Sequence, residues 1–142
     1  MSVGYFIEEL TEGMSASFAK TITETDITLF AGVSGDTNPM HINEDYAKAT
    51  RFGGRIAHGM LSAGLISAVL GTKLPGPGSV YMSQTLKFRA PVRPGETVEA
   101  TASIISVDRT KNRVTLRCEA RVGTLLVLDG EALVMVPSRP AI

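Results

Sequence analysis

The chain has no net charge to offer a partner: fourteen lysines and arginines balance fourteen aspartates and glutamates. That excludes the basic footprint of a nucleic-acid binder. Its one cysteine, Cys118, leaves no internal disulfide to form, which agrees with a reducing compartment. It also lacks a long apolar run. The longest, near residues 59–71, is interrupted by serines and glycines and is too short to span a bilayer. The opening "MSVGYFIEELTEGM" has acids where a secretory leader would have a basic and then an apolar segment. These absences predict a soluble, cytoplasmic protein with no nucleic-acid and no membrane partner. Histidine is scarce as well, present only at positions 41 and 58.

What is there suits one folded domain over residues 1–142, with 44% hydrophobic residues and no repeat, linker or low-complexity segment. Residues 14–22 read as a short strand. Thr23 and Asp26 form a capping-box pattern, and Ile27, Phe30 and Ala31 mark one face of a short helix. Gly32 and Gly35 weaken and end it. "GDTNP" is turn chemistry, with Asn38 held out of the helical region by Pro39. Asn43 is a cap for a second short helix, which "RFGGR" ends. Residues 59–71, "GMLSAGLISAVLG", carry no charge and are apolar on every side, so this helix must be surrounded by protein or by a partner.

From residue 80 the period changes from helix to strand. Residues 80–90 place Val80, Met82, Leu86 and Phe88 on one side. Residues 97–107 read as a second strand. Residues 114–121 alternate cleanly, with Val114, Leu116, Cys118 and Ala120 on one face. "TLLVLDGEALVMV" is a long strand whose Asp129-Gly130 is a bulge or a second turn. Four strands with short connections predict an antiparallel meander. Only the uncharged helix is large enough to cover its apolar face. The fold class is therefore α+β, a curved antiparallel sheet wrapped around one central buried helix.

The chemistry gathers in "SGDTNPMHINEDYA" and "IAHGMLSAG". Asp36 and His41 stand five residues apart in a turn-rich segment. Taken singly, such an Asp is a turn former and such a His a surface residue. Taken together, a carboxylate and an imidazole within reach of one water are what general acid/base chemistry needs. Gly59 lies at the start of the uncharged helix, where unpaired N–H groups and the helix dipole favour negative charge. A residue without a side chain there lets a ligand approach the amide closely. His58 reads as a structural donor that positions the helix start. Two histidines in separate segments, without clustered carboxylates, do not predict a metal site.

"FAGVSGDTNPMHINEDYA", then "RIAHGMLSAGLIS" and "LKFRAPVRPGETV", together resemble the MaoC-like hydratases, hot-dog-fold proteins that include the (R)-specific enoyl-CoA hydratases. The resemblance runs from about Thr11 to Val136 and implies the same helix-in-sheet fold. It implies a homodimer whose sheets join, and an activity of reversible water addition to trans-2-enoyl thioesters. It assigns Asp36 and His41 to the water, the Gly59 amide to the thioester oxygen, and Ser67 to the lining of the substrate site. Asn38 would hold the loop or help orient His41. No cofactor is implied beyond the CoA or pantetheine of the substrate. The (R) outcome rests on the resemblance alone. So do the pathways it opens, which are storage polyester supply, fatty-acid degradation and lipid synthesis.

Three rivals remain. A 3-hydroxyacyl-carrier-protein dehydratase would use the same residues. A thioesterase on this fold would be expected to carry a carboxylate on or opposite the central helix, and residues 59–71 contain none. A non-catalytic acyl-CoA-binding subunit would have no need of an acid/base pair.

Overall fold

The alternation at Val114, Leu116, Cys118 and Ala120 becomes the buried face of β5 (Arg113–Val122), as strand periodicity requires. On the same side β4 (Thr97–Asp108) buries Val98, Ala100, Ala102 and Ile104, and β6 (Leu125–Met135) buries Val127, Leu128, Ala132 and Val134. The three are consecutive antiparallel neighbours, with Ala100 opposite Ala120 and Leu116 opposite Ala132. Small residues dominate the centre of this face. The computed structural model describes residues 3–141.

The order of the remaining strands departs from the expected four-strand meander. The sheet has six strands, ordered β1-β4-β5-β6-β2, with β3 also paired to β6. β1 (Ser15–Thr21) takes the edge beside β4, with Phe18 opposite Ala100. β2 (Val80–Gln84) and β3 (Lys87–Phe88) lie on the far side, against β6. The reason lies in the connection "APVRPGE", which is not a tight hairpin but a traverse. Along it the Val92 carbonyl accepts the Ala57 N–H at 2.7 Å, and the Gly95 N–H donates to the Ile22 carbonyl at 2.7 Å.

The expected single strand over 80–90 is also broken in two, and the face assigned to it is not buried: Val80, Met82 and Phe88 are exposed. β2 is an edge strand, paired only through β6. Asp129-Gly130 is neither bulge nor turn, since both residues stay in register, opposite Glu119 and Cys118. Gly130 is required by close approach. A Cβ there would lie 1.8 Å from the Thr85 carbonyl oxygen, at the break between β2 and β3.

α4 (Gly59–Thr72) packs across β4, β1 and β5, burying Leu65, Ile66, Val69 and Leu70. Each such side chain contributes about 1.5–3 kcal/mol of transfer free energy. The helix is covered on one side only. Met60, Gly64, Ser67 and Gly71, spaced at helical intervals, form an open stripe. Outside the sheet, α1 (Glu24–Ser34), α2 (Pro39–Ile42) and α3 (Glu44–Lys48) form an arm over the start of α4.

Candidate active site

Local capping fixes the arm that carries Asp36 and His41. The Thr23 hydroxyl accepts from the Asp26 N–H at 3.1 Å while the Asp26 carboxylate accepts from the Thr23 N–H at 2.9 Å, which is the expected capping box. Gly35 ends α1 in the left-handed region (φ 80°), its N–H donating to the Ala31 carbonyl. The Asp36 carboxylate then accepts the Asn38 N–H at 3.2 Å, an Asx turn. Asn38 in turn caps α2, its side-chain oxygen accepting the Met40 N–H at 3.1 Å, and Pro39 occupies the first helical position. The turn segment therefore closes into one helical turn. His41 lies inside it, buried rather than on a loop surface.

His41 is oriented by a backbone group. Its Nδ1 lies 2.7 Å from the Ile56 carbonyl oxygen. A carbonyl can only accept, so Nδ1 is the donor, and in the neutral ring Nε2 is left as an acceptor for a water. By the same logic His58 donates from Nε2 to the Asp36 carbonyl at 2.9 Å. This is the structural hydrogen bond expected of His58, and its partner is the backbone of Asp36. The His58 ring also packs between Phe30, at 4.8 Å, and His41, at 3.9 Å between centroids.

One carboxylate oxygen of Asp36 and one nitrogen from each histidine lie within 4.8 Å of one another, a tighter cluster than the sequence spacing foretold. The imidazoles lie against one another, tilted by 31°. One nitrogen of each ring is already committed to a backbone carbonyl, His41 Nδ1 to Ile56 and His58 Nε2 to Asp36, and with one free nitrogen on each ring the arrangement suits proton chemistry.

The cluster opens into a cavity of about 380 Å³, walled on its apolar side by Ala57, Val92, Val127 and Leu128. Gly59 borders it. As the first residue of α4 its N–H has no carbonyl one turn back to bond. The Phe88 ring lies against this glycine, so that a Cβ at position 59 would come 2.6 Å from Phe88 Cδ1 and Cε1. Asp36, His41 and Gly59 are thus brought together, with His58 supporting them. Asn38 is placed beside them as the cap of α2, and Ser67 is not in the cavity. Ser67 lies on the open stripe of α4, while buried Ser62, on the other side of that helix, lines the cavity.

Two wall residues escaped the sequence reading. Phe88 read as the apolar side of a strand, and the break after Gln84 is what turns it into the cavity wall. Ser62 gave no signal within an apolar helix. The rim is held by ion pairs: Arg55 bonds Glu44 at 2.9 Å and also Glu24, tying α3 to α1. The hydrogen bond from Arg55 holds the Glu44 carboxyl below the usual carboxylate range. Arg89 does the same to Asp129, bonding it at 3.0 Å across β3 and β6.

Residues 7–123 match the family model described as "MaoC like domain". The (R)-specific enoyl-CoA hydratase of Rhodospirillum rubrum is 59% identical over 135 residues, covering 95% of this chain and 94% of that protein. The 3-hydroxybutyryl-CoA dehydratase of Methylorubrum extorquens is 51% identical over 134 residues, 94% of this chain and 85% of that protein. Among solved structures, the unliganded R-hydratase PhaJ1 of Pseudomonas aeruginosa superposes with a TM-score of 0.90 at 40% identity, covering 98% of this chain and 96% of that one. The sheet wrapped on its helix is thus the hot-dog fold.

Proposed function

The chain belongs to the MaoC-like domain family, and on that premise we propose that it is an (R)-specific enoyl-CoA hydratase. It adds water reversibly and on one face to trans-2-enoyl-CoA, giving (R)-3-hydroxyacyl-CoA. The observation that carries this reading is the convergence of Asp36, the bare Nε2 of His41 and the free amide of Gly59 on one cavity.

The chemistry follows from those groups. A water accepted between the Asp36 carboxylate and His41 Nε2 loses a proton to Asp36 as its oxygen bonds the β-carbon. The alkene electrons move onto the thioester oxygen, where the Gly59 N–H stabilises the developing charge. As the enolate collapses, the proton held by Asp36 passes to the α-carbon on the same face. Dehydration retraces these steps. The residues need no metal and no cofactor beyond the carrier of the substrate.

The same reading takes the protein to be cytoplasmic and a homodimer. No helix among the described residues is long and apolar enough to cross a membrane. The exposed apolar side chains of edge strand β2, Val80, Tyr81 and Met82, support pairing with a second copy. The open stripe of α4 is a further surface for a subunit to cover. Ser67 lines the substrate site, in this reading, only where the dimer closes over that stripe.

Crotonyl-CoA tests the function directly. Loss of enoyl-thioester absorbance without release of free thiol is the expected result, with the (R) enantiomer recovered on chiral analysis. Thiol release would make the protein a thioesterase, and silence in both assays would favour a binding subunit.

A further inference from the structure

We propose that Arg51 and Arg93, gathered around Phe52 at the mouth of the cavity, form a site for a phosphate of the thiol carrier. The proposal rests on the hydratase reading, since it names what holds the far end of the same substrate.

Most arginines near the cavity are already neutralised. Arg55 is paired with Glu24 and Glu44, and Arg89 with Asp129. Arg51 and Arg93 differ: among the described residues neither guanidinium has a carboxylate within salt-bridge distance. Both are instead anchored to one residue. Arg51 lies over the Phe52 ring, 4.7 Å from its centroid, and Arg93 donates from Nη2 to the Phe52 carbonyl at 2.6 Å. The nearby Glu44 carboxylate is itself held by Arg55.

Phe52 and Arg51 both line the cavity, and Arg51 is exposed, so the pair stands where the cavity meets solvent. One cation, Arg51, thus lines the cavity, and a second, Arg93, is bonded to the backbone of its neighbour Phe52; neither has a carboxylate partner among the described residues. Guanidinium is the side chain best matched to phosphate oxygens, through its fork of N–H donors. Stacking on an aromatic face restricts Arg51 before a ligand arrives, which lowers the cost of ordering it on binding. In a CoA thioester or a carrier-protein thioester a pantetheine arm separates the reacting carbonyl from the first phosphate. In this proposal the thioester sits against Asp36, His41 and Gly59, and the phosphate at the Arg51 edge of the same cavity.

The test uses the intact chain with crotonyl-CoA, a crotonyl carrier-protein thioester and crotonyl-pantetheine, which has no phosphate. Arg51→Gln is expected to raise KM for crotonyl-CoA about tenfold. It should leave kcat unchanged and the kinetics of crotonyl-pantetheine unmoved. Arg51→Lys should recover part of the loss. An equal rise with the carrier-protein thioester assigns the site to the pantetheine phosphate, and a rise with CoA alone assigns it to the nucleotide phosphates. The proposal is overturned if KM for crotonyl-CoA does not change, or if the phosphate-free thioester suffers equally. If the unaltered protein hydrates none of the three, the hydratase reading fails instead. The site is then judged by titrating CoA into the unaltered protein and Arg51→Gln, where equal affinity sinks it.

Discussion

The imidazoles of His41 and His58 lie against one another, 3.9 Å apart at their centroids and tilted by 31°, and each spends one N–H on a backbone carbonyl. His41 is held by Ile56, and His58 holds Asp36. The two halves of the acid/base pair are therefore oriented by separate carbonyl bonds that meet at one ring contact. Ring orientation and loop position cannot vary independently.

Removing the acid while keeping the turn isolates its chemistry. Asp36→Asn retains a side-chain oxygen for the Asn38 N–H, and the residue is exposed, so stability should change by less than about 0.5 kcal/mol. Turnover of crotonyl-CoA should fall by about 10²–10⁴-fold. A variant that keeps its kcat would remove Asp36 from the mechanism.

His58 acts through Asp36, so its loss should separate from loss of the acid itself. His58→Ala deletes a buried ring and a carbonyl bond, and should cost about 2–4 kcal/mol in denaturant unfolding. We expect kcat to fall with KM nearly unchanged, and His58→Gln, which keeps a donor, to recover part of kcat. Unchanged kcat in His58→Ala would mean that Asp36 is held by other contacts.

Gly59→Ala probes the amide and the aromatic wall together. The new methyl would press on the ring of Phe88, a residue 54% exposed, so the fold should tolerate the change. Approach of a thioester oxygen to the amide would still be blocked, lowering kcat about 10²-fold or more. Adding Phe88→Ala relieves the crowding. If it restores kcat as well, crowding and not the amide was at fault.

Cys118 is fully buried, and burial pushes its thiol up to about 11. A thiol-specific disulfide reagent at pH 8 should label the unfolded chain fully and the native chain hardly at all. The sign of the pH effect follows. The unfolded thiol releases its proton near about 8.5, so the folded state binds more protons above that pH. This contribution to stability is complete below the unfolded value and is lost as pH rises through about 11. Denaturant midpoints at pH 8 and pH 11 in Cys118→Ala should differ less than in the unaltered protein. Native reactivity at pH 8 equal to that of the unfolded chain would contradict the burial.

How much the sequence disclosed depended on whether the signal was local. Capping by Thr23, Asp26 and Asn43, the stop at Gly35 and the alternation of β5 involve neighbours in the chain, and all were legible. Asp36 and His41 stood out because both fall in one compact segment, and the resemblance, not the spacing, paired them. The clasp of His41 by the Ile56 carbonyl left no mark, because a backbone oxygen has no residue identity. Strand order was misjudged for a related reason: hydrogen bonds from Ala57 to Val92 and from Gly95 to Ile22 turn an apparent hairpin into a traverse, and none of these residues announces its partner. Ser62 and Phe88 were hidden by their apolar surroundings.

Gly130 carries no chemistry and lies outside the cavity walls, yet it lets the break at Thr85 lean against β6, and that break precedes the two-residue strand that ends in Phe88. The shape of the pocket is in that sense written partly at a position of β6 that lies beyond the wall residues Val127 and Leu128 of the same strand. An engineer who randomised only the wall residues would be repainting a room whose wall is hung from elsewhere. Selection for a wider or narrower acyl chain has the same second handle: any side chain at position 130 must displace Thr85, and Phe88 is three residues further along the chain.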